Sequence, residues 1–177
     1  MEFSEIIWLF LNPFESIRGV RDFLEMGGNV LVVILLLNIV LLGLVYERFA
    51  YYRTAFKQLE INTLQQWNAR TDHKSWHAHR IREQLISVAR GGAYRNISFI
   101  KALVALAPLL GLVGTVTGMV EVFDVMAVTG SGNARAMAAG ISKATLPTMA
   151  GMVVALSGLF FTSSLERKAE WSVEQLE

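Results

Sequence analysis

Two hydroxyls, Thr115 and Thr148, stand inside stretches that carry no charged side chain. A hydroxyl in such surroundings either bonds back to a carbonyl of its own helix or lines a polar seam able to hydrate an ion. Thr117, Thr145 and Ser157 add to the set. Just beyond lie Glu121 and Lys143, which form an ion pair if the two segments fold back as a hairpin; the alternative is that Lys143 snorkels to the outer interface without a specific partner. His73, His77 and His79 suggest metal chemistry, because histidines at i and i+4 share a helix face. Asp72 is the one acid beside them, so they read as part of a solvated basic segment and no metal site is expected. There is no H-E-x-x-H, P-loop or G-x-S-x-G pattern, so no catalytic residue, no cofactor and no enzyme activity are expected.

The placement of charge decides which elements hold these groups. Charged residues make up 18% of the 177 residues, and none falls in 26–46, 102–120 or 144–165. Each run approaches the roughly 20 apolar residues that a helix needs to cross a bilayer. The pattern predicts an all-α membrane protein with three transmembrane helices, in contact with membrane lipids. A soluble domain and a disordered chain are excluded, and the absence of cysteine excludes a disulfide scaffold. The net charge of +1 gives no sign of a nucleic-acid partner.

Residues 1–28 show apolar side chains near helical spacing, with Asn12-Pro13 as a helix start and Gly27-Gly28 as a stop. They read as an N-terminal amphipathic helix at the membrane surface or one packed on neighbouring protein, and not as a cleaved leader. The expected order continues with transmembrane helix 29–52, a helical segment 53–97, transmembrane helix 98–128, a turn at 129–133, transmembrane helix 134–168 and a tail 169–177. Within 53–97, Asn68–Arg80 reads as a polar patch before a helix resuming at Ile81, and Gly91-Gly92 as a break. Residues 1–25 carry five acids and two arginines, whereas 47–101 carry ten basic residues and four acids. The positive-inside rule places 47–101 in the cytoplasm, the N-terminus in the periplasm and the C-terminus in the cytoplasm. The helices thus have long cytoplasmic extensions.

A hairpin tip near residue 131 brings Thr115 to the depth of Thr148, and Glu121 to that of Ile141–Lys143. Gly111, Gly114, Gly118, Ala144, Gly151 and Ala155 form faces for close helix packing. Pro108 and Pro147 each remove a backbone hydrogen bond and are candidate kinks. No acid stands mid-depth in any run, so the chain lacks an evident proton carrier of its own.

The stretch Ala107-Pro108-Leu109-Leu110-Gly111-Leu112-Val113-Gly114-Thr115-Val116-Thr117-Gly118-Met119 resembles the signature of the ExbB/TolQ/MotA proton-channel family. Gly140–Thr148 followed by Gly151 resembles that family's last-span motif. Three spans resemble ExbB or TolQ more than MotA, and the short chain is most like a compact ExbB of a TonB system. The resemblance implies a bacterial inner-membrane homo-oligomer, commonly a pentamer. Its pore encloses a dimer of ExbD-like single-span proteins whose aspartate carries the proton, and a TonB-like protein conveys the energy. It implies that Thr115 and Thr148 face the pore. Lys143 departs from the pattern, since ExbB and TolQ usually carry Glu there. A TolQ-like role in envelope maintenance and a non-conducting scaffold are the alternatives.

The charge asymmetry is directly testable, because a single introduced cysteine has no native competitor. A cysteine beside Asp72 is expected to be shielded from impermeant thiol reagents applied to the periplasm of intact cells. Its labelling there would overturn the orientation.

Overall fold

The computed structural model describes residues 13–129 and 134–176. The readings made for residues 1–12, Asn12 among them, and for the tip at 130–133 lie outside these. Five helices follow in order: α1 Pro13–Arg53, α2 Ala55–Asn68, α3 Trp76–Tyr94, α4 Ile97–Thr129 and α5 Ala134–Glu174. There is no strand among the described residues. Three helical stretches, Arg18–Asn68, Trp76–Val128 and Met137–Glu174, are long and apolar enough to cross a membrane. Helices suit that setting because each satisfies its own backbone groups without water.

The interruptions have local causes. Gly28 has φ 68° and ψ −166°, so α1 consists of two helical segments meeting at a residue that glycine alone tolerates easily. At Thr54 the amide and the hydroxyl both donate to the Ala50 carbonyl, at 3.1 and 2.8 Å. Helical bonding therefore leads from α1 into α2. In the next turn Asp72 Oδ1 accepts the amides of Lys74 and Ser75, both at 3.1 Å. Hydrogen bonds from the Ser75 side chain and then from those amides hold the Asp72 carboxyl below its ordinary range. Ser75 caps α3 by accepting the Ala78 amide at 3.2 Å.

Three expectations are corrected here. The helix after the polar patch begins at Trp76 rather than Ile81, because Ser75 supplies the cap. His73 consequently lies in the turn and shares no helix face with His77; its Nε2 is 3.1 Å from the Trp67 carbonyl oxygen. Gly91-Gly92 does not break the chain, since α3 runs on to Tyr94 and the reversal comes at Asn96, with φ 63°. Asparagine is one of the few residues to enter that left-handed region readily. Gly92 serves a close approach instead: a Cβ there would stand 2.9 Å from the Tyr51 hydroxyl. In addition, α5 extends beyond 168 to Glu174, because buried Ala169 and Val173 continue the stripe begun by Thr162 and Leu165.

The chain divides into two compact units, Met1–Asn38 with Leu106–Val154, and Ile39–Ala105 with Ala155–Glu177. The core of the first includes Leu31, Ile34, Ala107, Val122, Ala144 and Val154. That of the second includes Leu41, Val45, Phe56, Ile100, Val104 and Leu165. In both, buried positions recur every three or four residues, the spacing of one helix face. The second unit also buries Arg48, which is 1% exposed. Its guanidinium donates to both Glu47 carboxylate oxygens at 3.0 Å and to the Gly92 carbonyl at 3.4 Å, and it lies over the Tyr51 ring. Tyr52 donates to the Ala93 carbonyl at 2.7 Å, and Lys101 pairs with Glu166.

Asn96→Gly should cost only the side-chain hydrogen bond that Asn96 makes with Glu47, because glycine takes the left-handed conformation freely. Relative to Asn96→Gly, Asn96→Val should destabilise the detergent-solubilised protein by about 1–2 kcal/mol, the strain of a β-branched residue at positive φ. Equal thermal stability of Asn96→Gly and Asn96→Val would refute this account of the turn.

Candidate functional site

The first unit brings α4 and α5 together along bare backbone. A Cβ placed on Gly118 would stand 2.6 Å from Ala144 Cα, and one on Gly111 2.9 Å from Thr148 Cα. One on Gly151 would stand 2.6 Å from the Ala107 carbonyl oxygen. These obstacles are backbone atoms and cannot rotate aside, so the glycines set how closely the helices approach. Gly114 receives the Pro147 ring, whose Cβ would lie 2.4 Å from an added methyl. The residue pairs in contact have midpoints between 129 and 131, close to the tip position that sequence assigns. Ala155 is buried in the second unit, where Gly158 also meets Val104.

Both prolines lie inside continuous helices. Pro147 is fully buried, whereas Pro108 is half-buried. Pro147 thus acts as a packing knob as well as a gap in the backbone ladder.

The hydroxyls divide into two groups. Thr115 donates to Leu112 at 2.7 Å, Thr117 to Val113 and Gly114 at 3.1 Å, and Thr145 to Ser142 at 3.0 Å. All three bond within their own helix. Thr148 donates across the pair, to the Gly111 carbonyl of α4 at 2.9 Å. The structure therefore places Thr148 in the α4–α5 seam, with Gly111 as its partner rather than Thr115. Both threonines are half-buried.

At the other end of the same seam, Lys143 Nζ lies 2.6 Å from Glu121 Oε2. The side chains are 38% and 55% exposed, so water screens the pair. Gly28 is the third element at this point: a Cβ there would come within 3.1 Å of Lys143 Cε. The surroundings of Lys143 thus involve the α1 break as well as Glu121. Among the described residues no three metal-ligating side chains converge.

Sequence reasoning missed Arg48 and Thr162. Arg48 follows Leu41 and Val45 at four- and three-residue steps, so its place on an apolar stripe was visible in the spacing. Thr162 is 2% exposed and bonds back to Gly158 and Leu159, both at 3.0 Å.

A double-mutant cycle tests the ion pair. Glu121→Gln and Lys143→Met should couple by about 0.2–1 kcal/mol in thermal stability, the range for exposed pairs. Strictly additive losses would show that the two side chains do not interact in solution.

Residues 52–177 match the MotA/TolQ/ExbB proton channel family. The chain is 43% identical over 68 residues to a putative biopolymer transport protein ExbB-like 1 of Synechocystis, covering 37% of this chain and 27% of that protein. It is 34% identical over 76 residues to the biopolymer transport protein ExbB of Helicobacter pylori, covering 43% of this chain and 52% of that one. A third relative, the putative biopolymer transport protein ExbB-like 3 of Synechocystis, is 37% identical over 65 residues, covering 36% of this chain and 31% of its own length. The chain therefore spans about half or less of the curated relatives it matches. No solved structure matches it significantly. The family match takes in α2–α5, including the glycine seam, Thr115, Thr148 and the Glu121–Lys143 pair. The chain belongs to the MotA/TolQ/ExbB proton channel family.

Proposed function

We propose that this chain is an ExbB-like subunit of a channel or motor in the bacterial inner membrane, driven by the proton-motive force. Several copies, commonly five, surround a dimer of ExbD-like single-span proteins. The assembly energises uptake across the outer membrane through a TonB-like protein. The observation that carries this reading is the α4–α5 seam, in which Thr148 bonds across to Gly111 inside charge-free runs. It is a polar, tightly packed seam with no titratable group at mid-depth. A proton crossing there needs a carboxylate from a partner.

Three further observations support it. The family is a proton-channel family rather than an enzyme family. The relatives bear the name of biopolymer transport proteins. The outward faces of α4 and α5 are rows of exposed apolar side chains, including Leu112, Val116, Val120, Met149 and Val153. Such faces fit acyl chains or neighbouring copies. In this reading Thr115 and Thr148 line the proton pathway, where Thr115 reaches a partner carboxylate by turning away from Leu112. The N-terminus is periplasmic and the C-terminus cytoplasmic.

Copurification with a single-span protein carrying a membrane aspartate, followed by subunit counting, tests the assembly. Thr115→Val with Thr148→Val preserves shape and deletes both hydroxyls. Energised uptake should fall by about tenfold or more while the complex still forms, as expected when general acid–base or hydration contacts worth a few kcal/mol are lost. Normal uptake in the double variant would reduce both threonines to packing residues. A complex lacking the single-span partner would favour a scaffold.

A further inference from the structure

The Glu121–Lys143 pair borders a cavity of about 230 Å³ in the first unit. Its polar lining is Asn29, Thr117, Glu121 and Lys143, with Gly28 and Gly118 also in its wall. The cavity exists because α1 is broken at Gly28, where the chain leaves helical geometry before continuing through Asn29 and Val30. It also depends on the missing side chains of α4, since Gly114 and Gly118 form part of its wall.

We propose that this cavity is an aqueous vestibule, which carries water from one membrane face into the charge-free part of a single subunit. A water needs only about 10–15 Å³ of such space, and cavities with several polar partners stay filled while apolar ones stay dry. Lys143 has three donors and the Glu121 carboxylate about four acceptor sites, and their mutual bond uses one of each. Water satisfies the remainder, as two charges at the end of a membrane span require.

Depth gives the vestibule its consequence. Glu121 marks the end of the charge-free run 102–120, whereas Gly114 stands seven residues inside it. At 1.5 Å per residue this is about 10 Å along the helix. The lining thus passes the level of Thr115 and reaches one residue deeper, with Thr115 itself on a neighbouring face of the helix. The role as a proton or water supply to the threonine seam rests on the channel reading above; the hydration itself does not.

The absence of native cysteine makes the test simple. Asn29→Cys and Thr117→Cys report the vestibule, and Val32→Cys reports an exposed position of α1 outside it. The intact complex, in right-side-out cells and in inverted vesicles, is treated with a charged methanethiosulfonate reagent. Both vestibule cysteines should react at least about tenfold faster than Val32→Cys, because apolar surroundings suppress the reactive thiolate. The reaction should proceed from one membrane face only. Thr117→Phe should slow the reaction at Asn29→Cys by filling the space. Vestibule cysteines as slow as Val32→Cys, or equally reactive from both faces, would overturn the proposal. Slow labelling in a complex that still supports uptake counts against the vestibule alone. Fast one-sided labelling in a complex without proton-driven uptake upholds the vestibule and counts against the channel reading.

Discussion

The contact of bare backbone at Gly111, Gly118 and Gly151 governs what the first unit can contain. In lipid there is no gain from burying apolar surface between helices, so close packing and hydrogen bonds must hold them together. Glycine permits both, and the same proximity lets the Thr148 hydroxyl reach the Gly111 carbonyl. With side chains at these positions the helices would separate and that bond would be lost. The small-residue stripe and the polar seam are thus two results of one geometric condition.

The ion pair follows from the same register. Once Gly118 is set against Ala144, Lys143 is carried to the level of Glu121. The lysine finds its counter-charge on the neighbouring helix α4. Gly28 contributes by leaving the space over which the lysine stem passes.

Most of this arrangement was legible because it depends on local rules. Charge-free runs marked the three helices long and apolar enough to cross a membrane, and the register expected from a tip near residue 131 matches the contacts of Gly111, Gly114 and Gly118. Three features were not legible. Gly91-Gly92 carries the ordinary mark of a break, yet the reason for Gly92 is a tertiary neighbour, Tyr51, which no local pattern reveals. The real reversal uses Asn96, whose readiness to take a positive φ is a weaker mark in sequence than a pair of glycines. Likewise Thr115 and Thr148 look equivalent as isolated hydroxyls. Only packing separates the one that bonds within its helix from the one that bonds across.

Arg48 has a consequence for the order in which the protein is made. Its bond to Gly92 joins residues 44 positions apart, so it is absent when α1 first leaves the ribosome. Glu47, the adjacent residue, holds the guanidinium with both oxygens in the folded chain. An acid next in sequence needs no distant segment to reach the cation, so only the Gly92 bond must wait for α3 to be made.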